Sequence, residues 1–446
     1  MEMHCRIACA ITLVGGLIGQ IQLHAENELK EPVRLRVGET VIDAGAQWGH
    51  ASPCVEDLDG DGVPELIVGD FSGTFQIYKR ASEENALEHE IAGKIQANGQ
   101  DAAVRIYCCI GGQPRFLDLN GDGIRDFISN SYDPGTCFYF EGQGTQEFAA
   151  PVELVDKDGV PVRSTVVQDE EVQSFGSFYA PVDWDADADS DLLIGTFDGH
   201  LKLRLNEGTA TEYVFADENI DVEADGQLLK VEAHCCPVAA DWDGDGLWDI
   251  LSGSDDGSVT WFRNIGTSTE PKFAVGEELV KPHTDSGTSG YEIAHLNGEE
   301  FVPGIRSQID VVDYNNDGKL DLLLGDFCTA YEFRNNLSSD EQKQIEEVTK
   351  RIESSNKKIR EAMEVLREEI YRDFPGDKRF TEGADQEWQK RYQQVKDSEL
   401  FKNYYEKHEP EFVETLRPFL KRTQSSGDKL YNLPVSHGFV WFFARK

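Results

Sequence analysis

Five copies of one nine-residue pattern constrain this chain more than any other feature. They begin at Asp57 (DLDGDGVPE), Asp118 (DLNGDGIRD), Asp183 (DWDADADSD), Asp241 (DWDGDGLWD) and Asp313 (DYNNDGKLD), at intervals of 61, 65, 58 and 72 residues. Such a period belongs to chains built from similar units that share cores with their neighbours. Each copy sets oxygen-bearing side chains at positions 1, 3, 5 and 9, and four of the five have Gly at position 6. Side chains at alternate positions of a tight loop converge on one point, and the Gly lets the backbone turn there. That is the ligand arithmetic of a calcium loop: side-chain oxygens from positions 1, 3 and 5, the carbonyl of 7, and position 9 direct or through water. An EF-hand would add an acid at position 12 and flanking helices. In the Asp241 copy position 12 is Ser252, and both flanks read as strands.

The expected ligands are therefore Asp57, Asp59, Asp61, Val63 and Glu65 in the first copy, and Asp118, Asn120, Asp122, Ile124 and Asp126 in the second. The third offers Asp183, Asp185, Asp187, Asp189 and Asp191, the fourth Asp241, Asp243, Asp245, Leu247 and Asp249, and the fifth Asp313, Asn315, Asp317, Lys319 and Asp321. Up to five structural Ca2+ ions are expected. Asn120 and Asn315 give their loops one charge fewer and a weaker site, and Ala188 stands where the third loop needs a turn residue. Without metal, the carboxylates crowded into each loop would repel one another.

An apolar strand follows every loop: Leu66-Ile-Val-Gly, Phe127-Ile-Ser-Asn, Leu192-Leu-Ile-Gly, Ile250-Leu-Ser-Gly and Leu322-Leu-Leu-Gly. A second strand begins after a Gly-rich turn, as in Gly257-Ser-Val-Thr-Trp-Phe-Arg263. Each unit is thus a loop feeding a hairpin, with about four strands per period, which is the blade of a β-propeller. At these residues the chain resembles the FG-GAP/VCBS repeat family of calcium-binding propeller blades, found in integrin alpha subunits and secreted bacterial proteins. The resemblance covers roughly residues 31–336 and the extreme C-terminus. It implies an all-β, five-bladed β-propeller with calcium loops, and it leaves function open, because fold and function separate.

The last blade is expected to close the ring. Leu322-Leu-Leu-Gly-Asp-Phe327 supplies one strand of its hairpin, and Gly438-Phe-Val-Trp-Phe-Phe-Ala-Arg445 matches the second. Its outer strand is missing at the C-terminus, whereas Glu31–Val41 resembles the outer segment of the fourth blade, Glu270–Val280. Pairing of Val33–Val37 with Val440–Ala444 would cover the open edge.

Between the halves of that hairpin the composition changes. Gly gives way to Lys, Glu, Gln and Arg from Ser338 to about Arg422. Ser338 with Glu341 fits a capping box, and Ile345, Ile352, Ile359 and Leu366 recur every seven residues, with Val348, Ala362 and Ile370 beside them. This predicts one amphipathic helix of ~35 residues. Phe374-Pro-Gly-Asp377 would break it. A second helical stretch from Ala384 to Arg422 would pack Trp388, Tyr392, Val395, Leu400, Phe401, Tyr404 and Tyr405, with Pro410 and Pro418 interrupting it. The expected organisation is a signal peptide at 1–25, a propeller at 26–336, a helical hairpin inserted at 337–430, and a final propeller strand at 431–446.

Acidic residues number 83 against 42 basic ones. Residues 337–430 hold 21 acidic and 19 basic residues, so the excess lies on the repeats. It opposes binding to nucleic acid or to anionic membranes. Arg6, the apolar run Ile7–Ile21 and Gln22-Leu-His-Ala25 read as a cleavable signal peptide. No later stretch is long and apolar enough to span a bilayer. The expectation is a secreted, periplasmic or cell-surface protein.

His50, His234 and Arg306 each stand seven residues before a loop start, and the vicinal pairs Cys108-Cys109 and Cys235-Cys236 lie just before two loops. In a propeller that segment lines the central channel. These residues are read as a channel group: a transition-metal or redox site, vicinal disulfides, or buried thiols filling the channel. With Cys54, Cys137 and Cys328, the mature chain has seven cysteines, an odd number. No nucleophile elbow, phosphate loop, zinc-protease helix or dinucleotide fingerprint stands in a credible context, and no catalytic residue is assigned. The leading reading is a calcium-stabilised scaffold binding an extracellular polysaccharide or protein. The alternatives are a carbohydrate-active or metal-dependent enzyme with its site at the channel mouth, and a structural protein that self-associates through the helical arm.

Overall fold

The computed structural model describes residues 29–44, 49–82, 85–104, 112–132, 134–144, 146–164, 176–283, 291–292, 302–334, 336–374, 382–421 and 435–446. The segment read as a signal peptide, Cys108-Cys109 and residues 375–377 of the helix break lie outside them. The chain divides into two compact units. One holds the described residues of Met1–Gly290, Val302–Cys328 and Ser436–Lys446, and the other those of Tyr291–Phe301 and Thr329–Val435. The second unit thus takes in Tyr291–Glu292, outside the insert read from composition, because these two residues pair in parallel with Thr329 and Ala330.

In the first unit every acidic loop joins the first two strands of an antiparallel array. The first array is Ser52–Glu56, Glu65–Gly69, Phe75–Arg80 and Glu88–Lys94. The second is Arg115–Leu117, Asp126–Asn130, Cys137–Phe140 and Val152–Glu153. The third is Phe178–Val182, Asp191–Gly195, Leu201–Arg204 and Ile220–Asp221. The fourth is Cys236–Ala240, Asp249–Gly253, Val259–Phe262 and Glu277–Val280. In the first four arrays the second strand opens on an acid and is buried at every position, as expected of strands covered on both faces.

The fifth array is assembled from distant segments. Ile305–Val312 pairs with Asp321–Ala330, which pairs with Val440–Phe443. Val33–Arg34 covers the outer edge, with Val33 opposite Phe442 and Arg34 opposite Trp441. The pairing expected through Val37 stops sooner. Leu35 is fully buried and donates its N–H to the Val440 carbonyl, and Arg36–Val37 then runs parallel to Glu88–Lys94 of the first array. Burial of Leu35 among Ile42, Leu66, Leu323 and Val440 pins the crossing between the two arrays.

Mixed cores fill the gaps between arrays. Phe75 and Ile77 pack with Phe127 and Phe140, Ile128 and Tyr139 with Tyr179 and Leu192, and Leu193 and Leu203 with Ile250 and Phe262. The second strands approach their neighbours closely. A Cβ on Gly69 would strike the Gly112 carbonyl, one on Gly195 that of Cys235, one on Gly253 that of Ser307, and one on Gly325 that of Ala51. First, second, third, fourth and fifth arrays thus follow one another, and the fifth meets the first.

In the second unit the helix Ser339–Asp373 runs 35 residues from a formed capping box of Ser338 and Glu341. Ile345, Val348, Ile352, Leu366 and Ile370 are buried, as the heptad spacing requires. The following stretch is several segments. Glu382–Lys396 ends before Ser398, which caps Glu399–Asn403; a π-helical turn, Tyr404–His408, leads into Glu409–Leu416. Pro410 follows the π-helical turn directly, in a run whose backbone stays helical through His408 and Glu409, so the regular ladder is interrupted just where a residue without an N–H stands. Phe401 and Tyr404 are buried, but Leu400 and Tyr405 are exposed: the breaks rotate them off the packed face. Phe412, Val413 and Leu416 join Tyr331, Ile345 and Ile352 in this unit's core.

Candidate functional site: acidic loops and an aromatic ring

The five loops share one backbone design. The first Asp of each accepts from the N–H at position 6: Gly62 to Asp57 at 3.0 Å, Gly123 to Asp118 at 2.9 Å, Ala188 to Asp183 at 3.3 Å, Gly246 to Asp241 at 3.0 Å and Gly318 to Asp313 at 2.9 Å. The acid at position 5 accepts from the N–H at position 7 in every copy. Ala188 takes φ 72° and Ala186 φ 61°, so the third loop makes the same turn without Gly, in the left-handed region.

Three loops bring three carboxylates together. Ligand atoms of Asp57, Asp59 and Asp61 lie within 4.8 Å of one another, as do those of Asp183, Asp185 and Asp187, and of Asp241, Asp243 and Asp245. In the other two, the Asn120 and Asn315 oxygens accept from the Asp122 and Asp317 N–H groups at 3.0 and 2.8 Å. Two loops carry a cation: Lys79 pairs with Asp59 and Glu65, and Arg263 with Asp243 and Asp245. The third has none among its described contacts. Burial, then repulsion from Asp187, Asp185 and Asp183, pushes the Asp189 carboxyl up to about 6. Both Asp189 oxygens and Asp241 Oδ1 are buried without a hydrogen-bond partner. Crowded, incompletely paired carboxylates around one point are the donor set that a hard divalent cation fits.

The acids at position 9 are placed differently. Glu65, Asp126, Asp191, Asp249 and Asp321 are all buried. Four of them accept the N–H at loop position 2, from Leu58, Leu119, Trp184 and Tyr314. Asp126, Asp191, Asp249 and Asp321 also accept an N–H at the far end of the hairpin, from Gly142, Asn206, Asn264 and Arg445. They tie loop to strand, and burial raises Asp191 to about 7 and Asp249 to about 6.

The described members of the channel group do not gather at one point. Cys235 faces the core between the third and fourth arrays, 3.3 Å from Ser252 Oγ, while Cys236 faces the other way and receives Gln113 Nε2 at 2.9 Å. Alternation along a strand sends vicinal residues to opposite faces, so the pair cannot converge. Cys54, Cys137, Cys235 and Cys236 are free and buried, and Cys328 is buried as well. Among the described residues no His or Cys joins a group placed to share a metal ion. Beside Cys54 and Cys236, Arg115 meets Asp310 at 3.3 Å, and Asp310 also accepts the Val55 N–H at 2.8 Å.

His50, His234 and Arg306 do come together with other residues, at the end of the arrays opposite the acidic loops. All three are left-handed, with φ of 64°, 50° and 60°. Arg306 Nη1 lies 3.1 Å from His50 Nε2, and its Nε 3.3 Å from Asp255 Oδ1; His234 Nδ1 lies 2.8 Å from the same carboxylate oxygen. His50 stacks on Phe71 and Phe327, Arg306 lies over Phe327, His234 packs on Phe197, and Phe197 meets Tyr132 edge-on. Phe71, Tyr132, Phe197, Asp255 and Phe327 each stand two residues after the second strand's fifth position, four of them in hairpin turns and Phe327 within the longer strand Asp321–Ala330, and each is half-buried. Sequence reasoning missed these five. The available signal was the recurring second residue in Asp-Phe-Ser-Gly, Ser-Tyr-Asp-Pro, Thr-Phe-Asp-Gly, Ser-Asp-Asp-Gly and Asp-Phe-Cys.

Residues 241–324, spanning the fourth loop through the fifth, match the profile of the FG-GAP-like repeat. This chain carries an FG-GAP-like repeat. No curated protein matches this chain. Among solved structures it is similar to the Photorhabdus luminescens Tc holotoxin pore bearing the TccC3-D651A mutation, at 13% identity and TM-score 0.31, over 68% of this chain and 14% of that one. It is similar also to the catalytic domain of the Coprinopsis cinerea GH62 alpha-L-arabinofuranosidase, at 10% identity and TM-score 0.38, over 67% of this chain and 89% of that one. A third is BBS1N in complex with ARL6DN, at 13% identity and TM-score 0.24, over 64% of this chain and 66% of that one. This chain thus spans about a seventh of the length of the toxin chain it matches.

Proposed function

We propose that the FG-GAP-like chain is a five-bladed β-propeller, stapled by up to five Ca2+ ions, that acts outside the cytoplasm as a binding scaffold for a polysaccharide or protein. The observation that carries this reading is the identical backbone design of the five acidic loops, each feeding an antiparallel array that meets the next. Positions 1, 3 and 5 of each loop would hold the ion, with the carbonyl of 7. The cation would neutralise carboxylates that otherwise repel one another and fix the turn between two strands. The ninth acids would act one step away, by holding the loop on its strand.

The test is thermal melting of the full chain with calcium and with a chelator at neutral pH. A site at a hundred times its Kd adds about 2.7 kcal/mol to the folded state, so the melting temperature should fall on chelation and recover with calcium. Asp245→Ala should lower it more than Asn120→Ala, because the fourth loop brings three carboxylates to the ion and the second has an amide in their place. A melt indifferent to chelation overturns the reading.

A further inference from the structure

Corresponding positions before the first strands are filled by His50, Gly176, His234 and Arg306, and all four are left-handed. Gly176 shows that the fold accepts Gly there. A non-glycine residue in that region costs about 1–2 kcal/mol. Three of these positions nevertheless carry large polar side chains, and those side chains meet one another and the turn residues. Strain retained where Gly would relieve it points to a use for the side chains.

The contacts form an unbroken series. Phe71 stacks on His50, and His50 on Phe327; Arg306 spans from Phe327 to Asp255; Asp255 meets His234, which leads through Phe197 to Tyr132. Half-buried aromatic rings thus flank two buried imidazoles, a guanidinium and a carboxylate, in one band drawn from all five arrays.

We propose that this band binds a neutral sugar ring. A pyranose or furanose offers a flat C–H face and a rim of hydroxyls, each both donor and acceptor. The part of each ring left exposed, beyond the faces already stacked within the band, takes the first. The second needs fixed donors and acceptors side by side, which Arg306 and Asp255 provide already oriented by each other and by His234. The charge balance selects against acidic sugars. Asp255 offsets Arg306 within the band, and the chain carries a net charge of −41, which repels an anion at longer range. This inference rests on the binding-scaffold reading and gives that scaffold a ligand class.

The experiment is calorimetric titration of the full chain, in calcium, with neutral gluco-, xylo-, manno- and galacto-oligosaccharides and with uronic-acid oligosaccharides. At least one neutral oligosaccharide should bind. Arg306→Gly should weaken that binding at least tenfold while leaving the melting temperature unchanged or raised, since it removes the left-handed strain. A residue serving structure alone would instead lower the melt. Asp255→Asn, which keeps the side chain's shape, should also weaken binding and gives a second readout if the Gly variant fails to fold. The proposal is overturned if no neutral oligosaccharide binds, if only uronic-acid oligosaccharides bind, or if neither substitution changes the affinity. A chain that binds no sugar but still melts lower on chelation loses this inference and keeps the calcium scaffold. A chain that binds a sugar but ignores chelator does the reverse.

Discussion

Arg306 Nη1 lies 3.1 Å from Nε2 of His50, 256 residues away along the chain. Burial, then the neighbouring Arg306 and His234 charges, holds the His50 imidazole well below its usual pKa. It is therefore neutral at physiological pH, and its Nε2 accepts from the guanidinium. The bond joins the first array to the fifth, between corresponding positions of two repeats. It shows what repetition does here: the same left-handed turn, used again, aims side chains from distant segments into one band.

The third acidic loop makes its turn with Ala188 at φ 72°, where the other four loops have Gly. Ala188→Gly should stabilise the chain by up to about 1 kcal/mol, the left-handed penalty less the extra freedom Gly gives the unfolded chain. The melting temperature in chelator should rise. A fall would mean that Ala188 is held by contacts worth more than its strain.

Contact between arrays leaves no room at the second-strand glycines. A Cβ on Gly195 would strike the Cys235 carbonyl and the Pro237 ring, and backbone cannot yield as a flexible side chain can. Gly195→Ala should cost about 1–3 kcal/mol, as overpacking does. Urea denaturation measures it, and a variant as stable as the parent would refute the close approach of the third and fourth arrays.

The acidic loops were legible because their geometry is local: nine consecutive residues fix the turn and the convergence of positions 1, 3 and 5. The split fifth array was legible because Gly438–Arg445 repeats the pattern of Gly257–Arg263. What escaped depends on three dimensions. The ninth acid reads as a ligand, and its second task, accepting backbone N–H groups at the start of a strand, is not visible in the spacing. Cys235 and Cys236 read as a pair, and strand alternation separates them. The band of Phe71, Tyr132, Phe197, Asp255 and Phe327 is spread over five arrays and becomes a group only when the arrays stand side by side. Pro410 announces an interruption near Tyr404–His408, but nothing in the sequence says that it takes the form of a π-helical turn.

The N-terminal segment covers the edge of the fifth array through Val33 and Arg34 and enters the first through Arg36 and Val37. Leu35, fully buried between them, is the hinge of that crossing. Leu35→Ala should cost about 3 kcal/mol, as for other buried Leu truncations. Removing residues up to Leu35 should do more, by exposing the N–H and C=O groups of Val440–Phe443 as an open edge. Melting and sedimentation together check this: the truncated chain should melt lower and associate with concentration. A truncated chain that melts as the parent does would show that the pairing closes nothing of consequence.

His89 supplies a dependence on pH that can be isolated. Its ring is buried, with Nε2 2.6 Å from the Tyr314 hydroxyl, a contact between the first array and the fifth loop. Burial, aided by the Arg80 charge, lowers its pKa from 6.5 to about 4. The folded chain therefore resists protonation that the unfolded chain accepts. His89 adds its full stability above pH 6.5, and the contribution is lost as pH falls from there toward 4. A shift of that size corresponds to about 3 kcal/mol at most. Carboxylates raised by burial, such as Asp326 at about 6, act in the opposite sense over much the same range. The total profile is thus uninformative, and the difference between parent and His89→Gln is the quantity to measure. Urea denaturation at pH 7.5, 6, 5 and 4 should show the parent's advantage over the variant shrinking steadily as the pH falls. Parallel profiles would mean that the imidazole is solvated and that the Tyr314 contact does not seal it.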